Sequence, residues 1–161
     1  MDRKDKDFTR SIWLPLLPLA LACAAVSVPL LYAHLPVLAL ALQRGFSLVC
    51  HQHADRSFSL FGGSVAVCAR CLGIYLGAAA GLLVRLPRQL ALRFFLAALA
   101  VNAIDGLAEF AGMHGNWMLL RFSLGFALGT AAAMLVAASI IATEIPVANT
   151  SPIGNGGTTE A

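Results

Sequence analysis

Four apolar runs, each long enough to cross a lipid bilayer, constrain this chain more than any other feature of its sequence. The hydrocarbon core of a bilayer is about 30 Å thick, so a helix needs roughly 20 apolar residues to span it. Runs of that length lie approximately at residues 12–31, 64–84, 90–111 and 117–142. With 59% hydrophobic and 12% charged residues, the chain is too apolar for a soluble domain. The sequence therefore predicts an all-α, polytopic membrane protein with four transmembrane helices.

A shorter apolar segment, residues 35–49, lies between the first two runs and is interrupted by polar residues. Its length favours a short interfacial or re-entrant helix over a fifth span. It leads into a loop, residues 50–63, that precedes the second run. The chain is thus divided into a polar N-terminal segment, a transmembrane domain and a polar tail, at residues 1–11, 12–142 and 143–161. The tail is rich in Ser, Pro, Gly, Asn and Thr, a composition that predicts disorder.

The first run contains three prolines, Pro15, Pro18 and Pro29. A proline inside a helix leaves the carbonyl group four residues earlier without its usual hydrogen-bond donor. Within a membrane, only other protein groups can replace that donor. We therefore expect neighbouring helices to provide partners for its freed carbonyls, and we expect the first helix to be kinked.

The basic residues favour one orientation in the membrane. Four of them precede the first run and three flank the junction of the second and third: Arg3, Lys4, Lys6, Arg10, Arg85, Arg88 and Arg93. Four spans place both groups on one side, which the positive-inside rule makes cytoplasmic. Both termini are then predicted to be cytoplasmic and the 50–63 loop to lie at the outer face. Because the net charge of +3 follows topology, it does not indicate a nucleic-acid partner. The bilayer is the predicted partner, and protein partners and a homo-oligomeric state are left open.

Cysteine and histidine cluster at the start of the second run. Cys68 and Cys71 form a C-x-x-C pair, and Cys50 and His51 lie upstream, so these four residues complete a Cys/His set of the kind that zinc prefers. His53 is placed to replace His51 or to support the ligands. The sequence therefore predicts a metal site, with zinc as the cofactor, whose ligands are Cys50, His51, Cys68 and Cys71.

Two other interpretations of the cysteines stay open, so whether the chain is an enzyme is not decided. A C-x-x-C pair at a helix N-terminus is typical of thiol oxidoreductases, in which Cys68 would attack and Cys71 or Cys50 would resolve. Alternatively, Cys68 pairs with Cys71 or with Cys50 in a structural disulfide. The chain would then be a structural or partner-binding membrane subunit with no chemistry of its own. His114, in the outer turn before the fourth run, is a further ligand candidate, although a lone loop histidine is more often solvated.

Polar residues inside the third and fourth runs are expected to support the site. Asn102, Asp105 and Glu109 recur at helical spacing on one face, where charges are costly in lipid unless they are paired. We expect Asp105 or Glu109 to pair with Arg121 or Arg70, either as a proton relay or as a salt bridge that fixes helix order. The supporting residues predicted for the site are His53, Arg56, Arg70, Asp105, Glu109 and Arg121.

Small residues predict close packing of the second and fourth helices. Gly73, Gly77 and Gly81 repeat every four residues in the second run, and Gly125 and Gly129 do so in the fourth. Such small-x-x-x-small patterns let helix backbones approach each other in membranes. The second helix is therefore expected to be central in the bundle.

Two separated motifs resemble a known family. They comprise Cys50-His51-Gln52, Arg56-Ser57-Phe58, Gly62 and Cys68-Ala69-Arg70-Cys71-Leu72-Gly73-Ile74-Tyr75 with Gly77, followed by Asp105-Gly106, Asn116, Arg121, Gly125 and Gly129. From about residue 35 to 142 the sequence resembles the small prokaryotic membrane proteins known as domain of unknown function 2085 (DUF2085). It departs from that pattern at His53 and Glu109. The resemblance implies a multi-pass protein of the prokaryotic cell (inner) membrane with no established activity, in which the four predicted ligands act as a unit.

Overall fold

The computed structural model describes residues 3–143 except 114 and 116, and describes side chains from residue 14 to residue 140. This part of the chain forms five α-helices, one 3₁₀ turn and one small hairpin. The elements are α1 (Arg3–His34), α2 (Pro36–Ser47), the 3₁₀ turn (Ala54–Arg56), β1 (Ser59–Leu60), β2 (Gly63–Ser64), α3 (Ala69–Gly81), α4 (Arg88–Phe110) and α5 (Met118–Thr143). The candidate ligand His114 and the tail from residue 144 onward lie outside the described residues.

Three helices in this part of the chain are long and apolar enough to cross a membrane: Leu14–His34, Arg88–Phe110 and Met118–Ile140. They correspond to the first, third and fourth predicted spans. Large apolar side chains on their outer faces, such as Leu17 and Leu107, are 68% and 69% exposed, as expected of surfaces that contact lipid. The prediction of a mostly helical chain is confirmed, whereas four transmembrane helices are not. The short helix expected at 35–49 is present as α2, with Pro36 at its first position.

The second predicted span, 64–84, contains a helix of only 13 residues, α3. A helix beginning at Ser64 would direct the Cys68 N–H to the Ser64 carbonyl. That N–H instead donates to the Cys50 sulfur, at 3.3 Å, and Cys68 has an extended backbone conformation. At the other end, Leu82 caps the helix and the chain leaves in tight turns. The helix is therefore shorter than the apolar run, because the Cys68 N–H bonds to the Cys50 sulfur and not to a carbonyl group one helical turn earlier.

Pro29 of α1 provides the anchor for the segment that leads into α3. Because proline has no N–H, the carbonyl of Ala25, four residues earlier, is free of its helical donor. The Ala66 N–H donates to this carbonyl at 3.2 Å, so the donor comes from the non-helical segment before α3 and not from a neighbouring helix as predicted. Nearby, a Cβ on Gly63 would lie 3.1 Å from the Pro29 Cβ, so the hairpin lies directly against α1.

The helices pack in the order α2, α1, α3, α5 and α4. Gly73 of α3 faces Phe122 of α5, and Gly81, about two turns further along α3, faces Thr130, so α3 and α5 run parallel. Asn102 of α4 donates to the Leu124 carbonyl of α5, and these two helices run antiparallel. As predicted, α3 is central, since it lies between α1 and α5. The main buried apolar cluster joins α1, α2 and the start of α3, and it encloses Cys50.

Candidate functional site

Three cysteine sulfurs meet where the loop joins α3. Among the described residues, Cys50, Cys68 and Cys71 form a group whose ligand atoms all lie within 4.8 Å of one another, called here the sulfur group. Cys68 caps the N-terminus of α3 and Cys71 lies in its first turn, and this three-residue helical spacing directs both side chains to one side. Cys50 comes from the other end of the loop. All four cysteines of the chain are free thiols.

Cys50 is the most firmly held member of the sulfur group. Its residue is 5% exposed, and its N–H donates to the Phe46 carbonyl of α2 at 2.9 Å. The Cys68 N–H donates to its sulfur. Hydrogen bonds of this kind stabilise negative charge on sulfur and are typical of metal-bound thiolates. The N-terminal end of α3 adds a partial positive charge at the same place. The group is thus prepared to carry thiolates.

Gln52 holds the loop in place, a role that the sequence did not reveal. Its backbone has a φ of 51°, a left-handed conformation that is uncommon for a residue other than glycine. Its Nε2 donates to the carbonyl of Gln43 at 2.7 Å and to that of Ala66 at 2.8 Å. Gln52 therefore ties α2 to the segment before α3 on either side of Cys50. In the sequence, the one feature that could have indicated this role is the position of Gln52 directly after Cys50-His51 in the first motif.

The two loop histidines do not join the sulfur group. His51 and His53 are both exposed, and their rings stack on each other with centroids 6.2 Å apart and planes inclined by 3°. Both line the same cavity as the cysteines. The structure therefore brings together three of the four predicted ligands and places His51 at the rim. Its role as a ligand stays a prediction.

A network of ion pairs lies beside the sulfur group. Arg70 of α3 pairs with Asp105 of α4. Glu109, one turn further along α4, accepts from Arg121 of α5 at 2.6 Å and from Arg56 of the loop at 3.0 Å. The pairing of these acids with Arg70 and Arg121 is as the sequence predicted. The network connects the loop to three helices at the same level as the cysteines.

A cavity of about 350 Å³ brings the thiols and the charged residues together. Its lining residues are Val49, Cys50, His51, Gln52, His53, Arg56, Cys68, Arg70, Cys71, Glu109 and Arg121. This volume is within the range of small-molecule sites. Nine of the ten residues predicted as ligands or supports line the cavity, and the tenth, Asp105, contacts it through Arg70. Chemically, the arrangement suits either metal binding by thiolates or thiol–disulfide exchange.

Comparison with known proteins places the sequence motifs in a family. A family model described as "Predicted membrane protein (DUF2085)" matches residues 50–135, a range that begins at Cys50. An uncharacterised protein of Methanocaldococcus jannaschii is 34% identical over 102 residues, covering 57% of this chain and 64% of that protein. An uncharacterised protein of Methanothermobacter thermautotrophicus is 38% identical over 95 residues, covering 56% of this chain and 86% of that protein. The chain thus spans just under two thirds of the first relative's length. No solved structure matches it.

Proposed function

Because the chain belongs to the DUF2085 family of predicted membrane proteins, we propose that it is a four-span protein of the prokaryotic cell membrane that binds zinc at its outer side. The ligands are the three thiolates of the sulfur group, with His51 as the fourth. Zinc held by four protein ligands in this way serves a structural role, since no position is left for substrate.

The observation that supports the proposal is the convergence of three sulfurs, from the start of α3 and from the far end of the loop, to within 4.8 Å of one another. Zinc–thiolate bonds are about 2.3 Å long, so tetrahedral ligands have sulfurs about 3.8 Å apart. Sulfurs that already lie within 4.8 Å of one another are compatible with that separation. His51 directly follows Cys50 and lines the cavity, so the proposal requires its side chain to turn from the His53 ring toward the sulfur group.

The short helix α3 is proposed to be the core of the second span. Its 13 residues measure about 20 Å, which is less than the roughly 30 Å hydrocarbon core. Residues 65–67 extend the crossing at the outer end, and each is at most 2% exposed. Non-helical backbone is tolerated at membrane depth where protein buries it. With α1 and α5 on either side, α3 does not need the length of a span that faces lipid.

Metal analysis of the purified full-length protein tests the proposal. We expect about one zinc per chain, lost on single substitution of Cys50, Cys68 or Cys71 by Ser, because two protein thiolates and one histidine bind zinc far more weakly. Cys23→Ser is the matched control, since Cys23 lies outside the sulfur group and is exposed. His51→Ala is expected to retain the ion with weaker affinity. Purified protein without zinc, in which Cys68 and Cys71 form a disulfide, would contradict the proposal.

A thiol–disulfide oxidoreductase is the second candidate, favoured by the position of Cys68 at the N-terminus of α3. The Cys68 thiolate would attack a substrate disulfide, forming a mixed disulfide and releasing one substrate thiol. Attack by Cys71 would then release the second thiol and leave a Cys68–Cys71 disulfide, so that the substrate gains two electrons. Titration with dithiol buffers, read by alkylation and mass spectrometry, tests this candidate. It is supported by reversible two-electron oxidation confined to this pair, and excluded if zinc protects all three thiols.

A further inference from the structure

The cavity beside the sulfur group has a second wall made of guanidinium groups. Arg56 from the loop, Arg70 from α3 and Arg121 from α5 all line it. Arg121 is 5% exposed and Arg56 has a side chain that is 41% exposed, so the wall runs from the interior to the cavity mouth. Three arginines from three different elements thus converge on one cavity.

These arginines are not fully neutralised by nearby acids. Arg70 pairs with Asp105, whereas Arg56 and Arg121 share the single carboxylate of Glu109. Three guanidinium groups therefore face two carboxylates, and the other anionic groups on the cavity wall are the thiolates of the sulfur group. Asp55 also lies 3.6 Å from the Arg56 Nε, but it is 67% exposed and solvent screens it. Guanidinium groups that share one carboxylate keep hydrogen-bond donors for a further anion in the cavity.

The same arginines have hydrogen-bond donors to spare. Among the described residues, the buried Nε groups of Arg70 and Arg121 have no hydrogen-bond partner. A buried donor without an acceptor is costly, so such groups are rare in proteins unless a ligand or ion satisfies them. Each guanidinium presents five donors in a planar fork that matches the oxygen spacing of carboxylate and phosphate. Three such forks offer more donors than the two oxygens of a carboxylate accept, which favours phosphate.

We propose that this cavity binds a small molecule or headgroup through a phosphate group, with Arg56, Arg70 and Arg121 as its ligands. The cavity volume of about 350 Å³ accommodates a phosphate together with a small attached group. The bound group would lie against the sulfur group, so its attached part would reach the thiols or their metal. Because the site lies at the outer side of the proposed bundle, the phosphate comes either from a soluble molecule or from an anionic lipid.

Phosphate binding to the full-length protein in phosphatidylcholine nanodiscs tests the proposal. Isothermal titration with inorganic phosphate is expected to show saturable binding to one site per chain. If lipid is the source, phosphate will not bind, but native mass spectrometry will show one phosphatidylglycerol retained per chain from mixed-lipid nanodiscs. Either result supports the phosphate site and identifies its source. The absence of both would show that the arginines only compensate thiolate charge, and would overturn the proposal.

Substitutions separate a specific site from general charge attraction. Arg56→Gln and Arg121→Gln are each expected to weaken binding at least about tenfold, because each removes a charge-assisted hydrogen bond. Arg121→Lys is expected to lose part of the affinity, since it keeps the charge but not the fork. Arg44→Gln is the matched control, because Arg44 is exposed on α2 outside the cavity. Should Arg121→Gln not fold, Arg56→Gln decides alone, and equal binding in Arg56→Gln and Arg44→Gln contradicts the proposal.

Zinc content measured on the same samples keeps this inference distinct from the proposed function. Phosphate binding in protein that lacks zinc would leave the phosphate site standing and would remove the metal site. Zinc in protein that binds neither phosphate nor phosphatidylglycerol would support the metal site and would remove the phosphate site. The two conclusions depend on different residues of one cavity, so each has its own measurement.

Discussion

At the scale of single residues, Asp105 is the more deeply buried of the two acids in the ion-pair network. It is 7% exposed on a membrane helix and pairs with Arg70, whose side chain is 28% exposed. Removing one member of a buried ion pair is costly because the other charge stays behind without a partner. Asp105 therefore matters for stability through the charge that it would leave on α3, more than through the net strength of the pair.

Asp105→Asn is expected to destabilise the protein by about 2 kcal/mol, less than for a fully buried pair because Arg70 is partly solvated. Unfolding by a denaturing detergent, followed by loss of helical circular dichroism, measures the change. Asp55→Asn is the control, since Asp55 is 67% exposed and its contact with the Arg56 Nε is long, at 3.6 Å. That control should change stability by less than about 0.5 kcal/mol. Similar losses in both variants would contradict the importance of burial.

The chemistry of the side chains was enough to predict much of the site, whereas contacts that form only in the folded chain could not be predicted. The spacing of Asp105 and Glu109 on one helix face, with the cost of charge in lipid, was enough to predict their pairing with arginines. Zinc preferences were enough to group three cysteines. The sequence could not show that Gln52 holds the loop, because that depends on two backbone carbonyls becoming neighbours in the fold. Nor could it fix the direction of an exposed side chain such as His51.

At the scale of elements, the interface between α3 and α5 depends on the absence of side chains. A Cβ added at Gly73, Gly77, Gly81, Gly125 or Gly129 would lie closer than 3.0 Å to a carbonyl oxygen of the facing helix. Backbone atoms cannot move aside as a flexible side chain can, so the helices would have to separate. Because Arg70 and Arg121 lie on these two helices, their separation would also disturb the ion-pair network.

Gly77→Ala is expected to destabilise the protein by about 1–3 kcal/mol, because the added methyl group overpacks the interface. Gly106→Ala is the matched control: it lies inside α4 with nothing within 4 Å of the added Cβ. Alanine there should be neutral or should stabilise the helix by up to about 1 kcal/mol. Detergent unfolding of both variants gives the comparison. A loss of stability in Gly106→Ala equal to that in Gly77→Ala would contradict this account of the interface.

The glycine repeats were enough to predict this interface, but hydropathy could not predict the start of α3. An apolar run records which residues avoid water and does not record which backbone groups have partners. The helix begins at Ala69 because the Cys68 N–H is committed to the Cys50 sulfur, a contact between residues 18 positions apart. Helix boundaries that depend on such distant contacts are not available from local sequence.

At the scale of the whole molecule, the number of crossings decides on which side each loop lies. The described residues contain three helices of membrane-spanning length, and α3 is the fourth proposed crossing. If α3 crosses, the junction between α3 and α4 lies on the same side as the N-terminus. Otherwise, that junction lies at the outer face, together with the C-terminus.

Reporter fusions made after residue 87 and after residue 143 are expected to be cytoplasmic, because four crossings and the positive-inside rule place both there. Fluorescent protein fusions should fluoresce, and alkaline phosphatase fusions at the same points should be inactive. A fusion after residue 47, on the outer side in either topology, is the control. Active phosphatase at residues 87 and 143 would mean that α3 does not cross the membrane.

The hydrogen bond from Ala66 to the Ala25 carbonyl has a consequence for the evolution of α1. Proline is the poorest helix former, so Pro29→Ala would ordinarily improve a helix. Here it would restore a competing donor to the Ala25 carbonyl and release the segment that carries Cys68. We expect Pro29→Ala to lose zinc to a chelator about tenfold faster than Pro18→Ala, in line with the effect of disturbing groups that orient ligands. If the proposed metal site is present, selection for a smoother first helix would therefore act against it, because the proline in α1 leaves the Ala25 carbonyl free to hold the segment that carries Cys68.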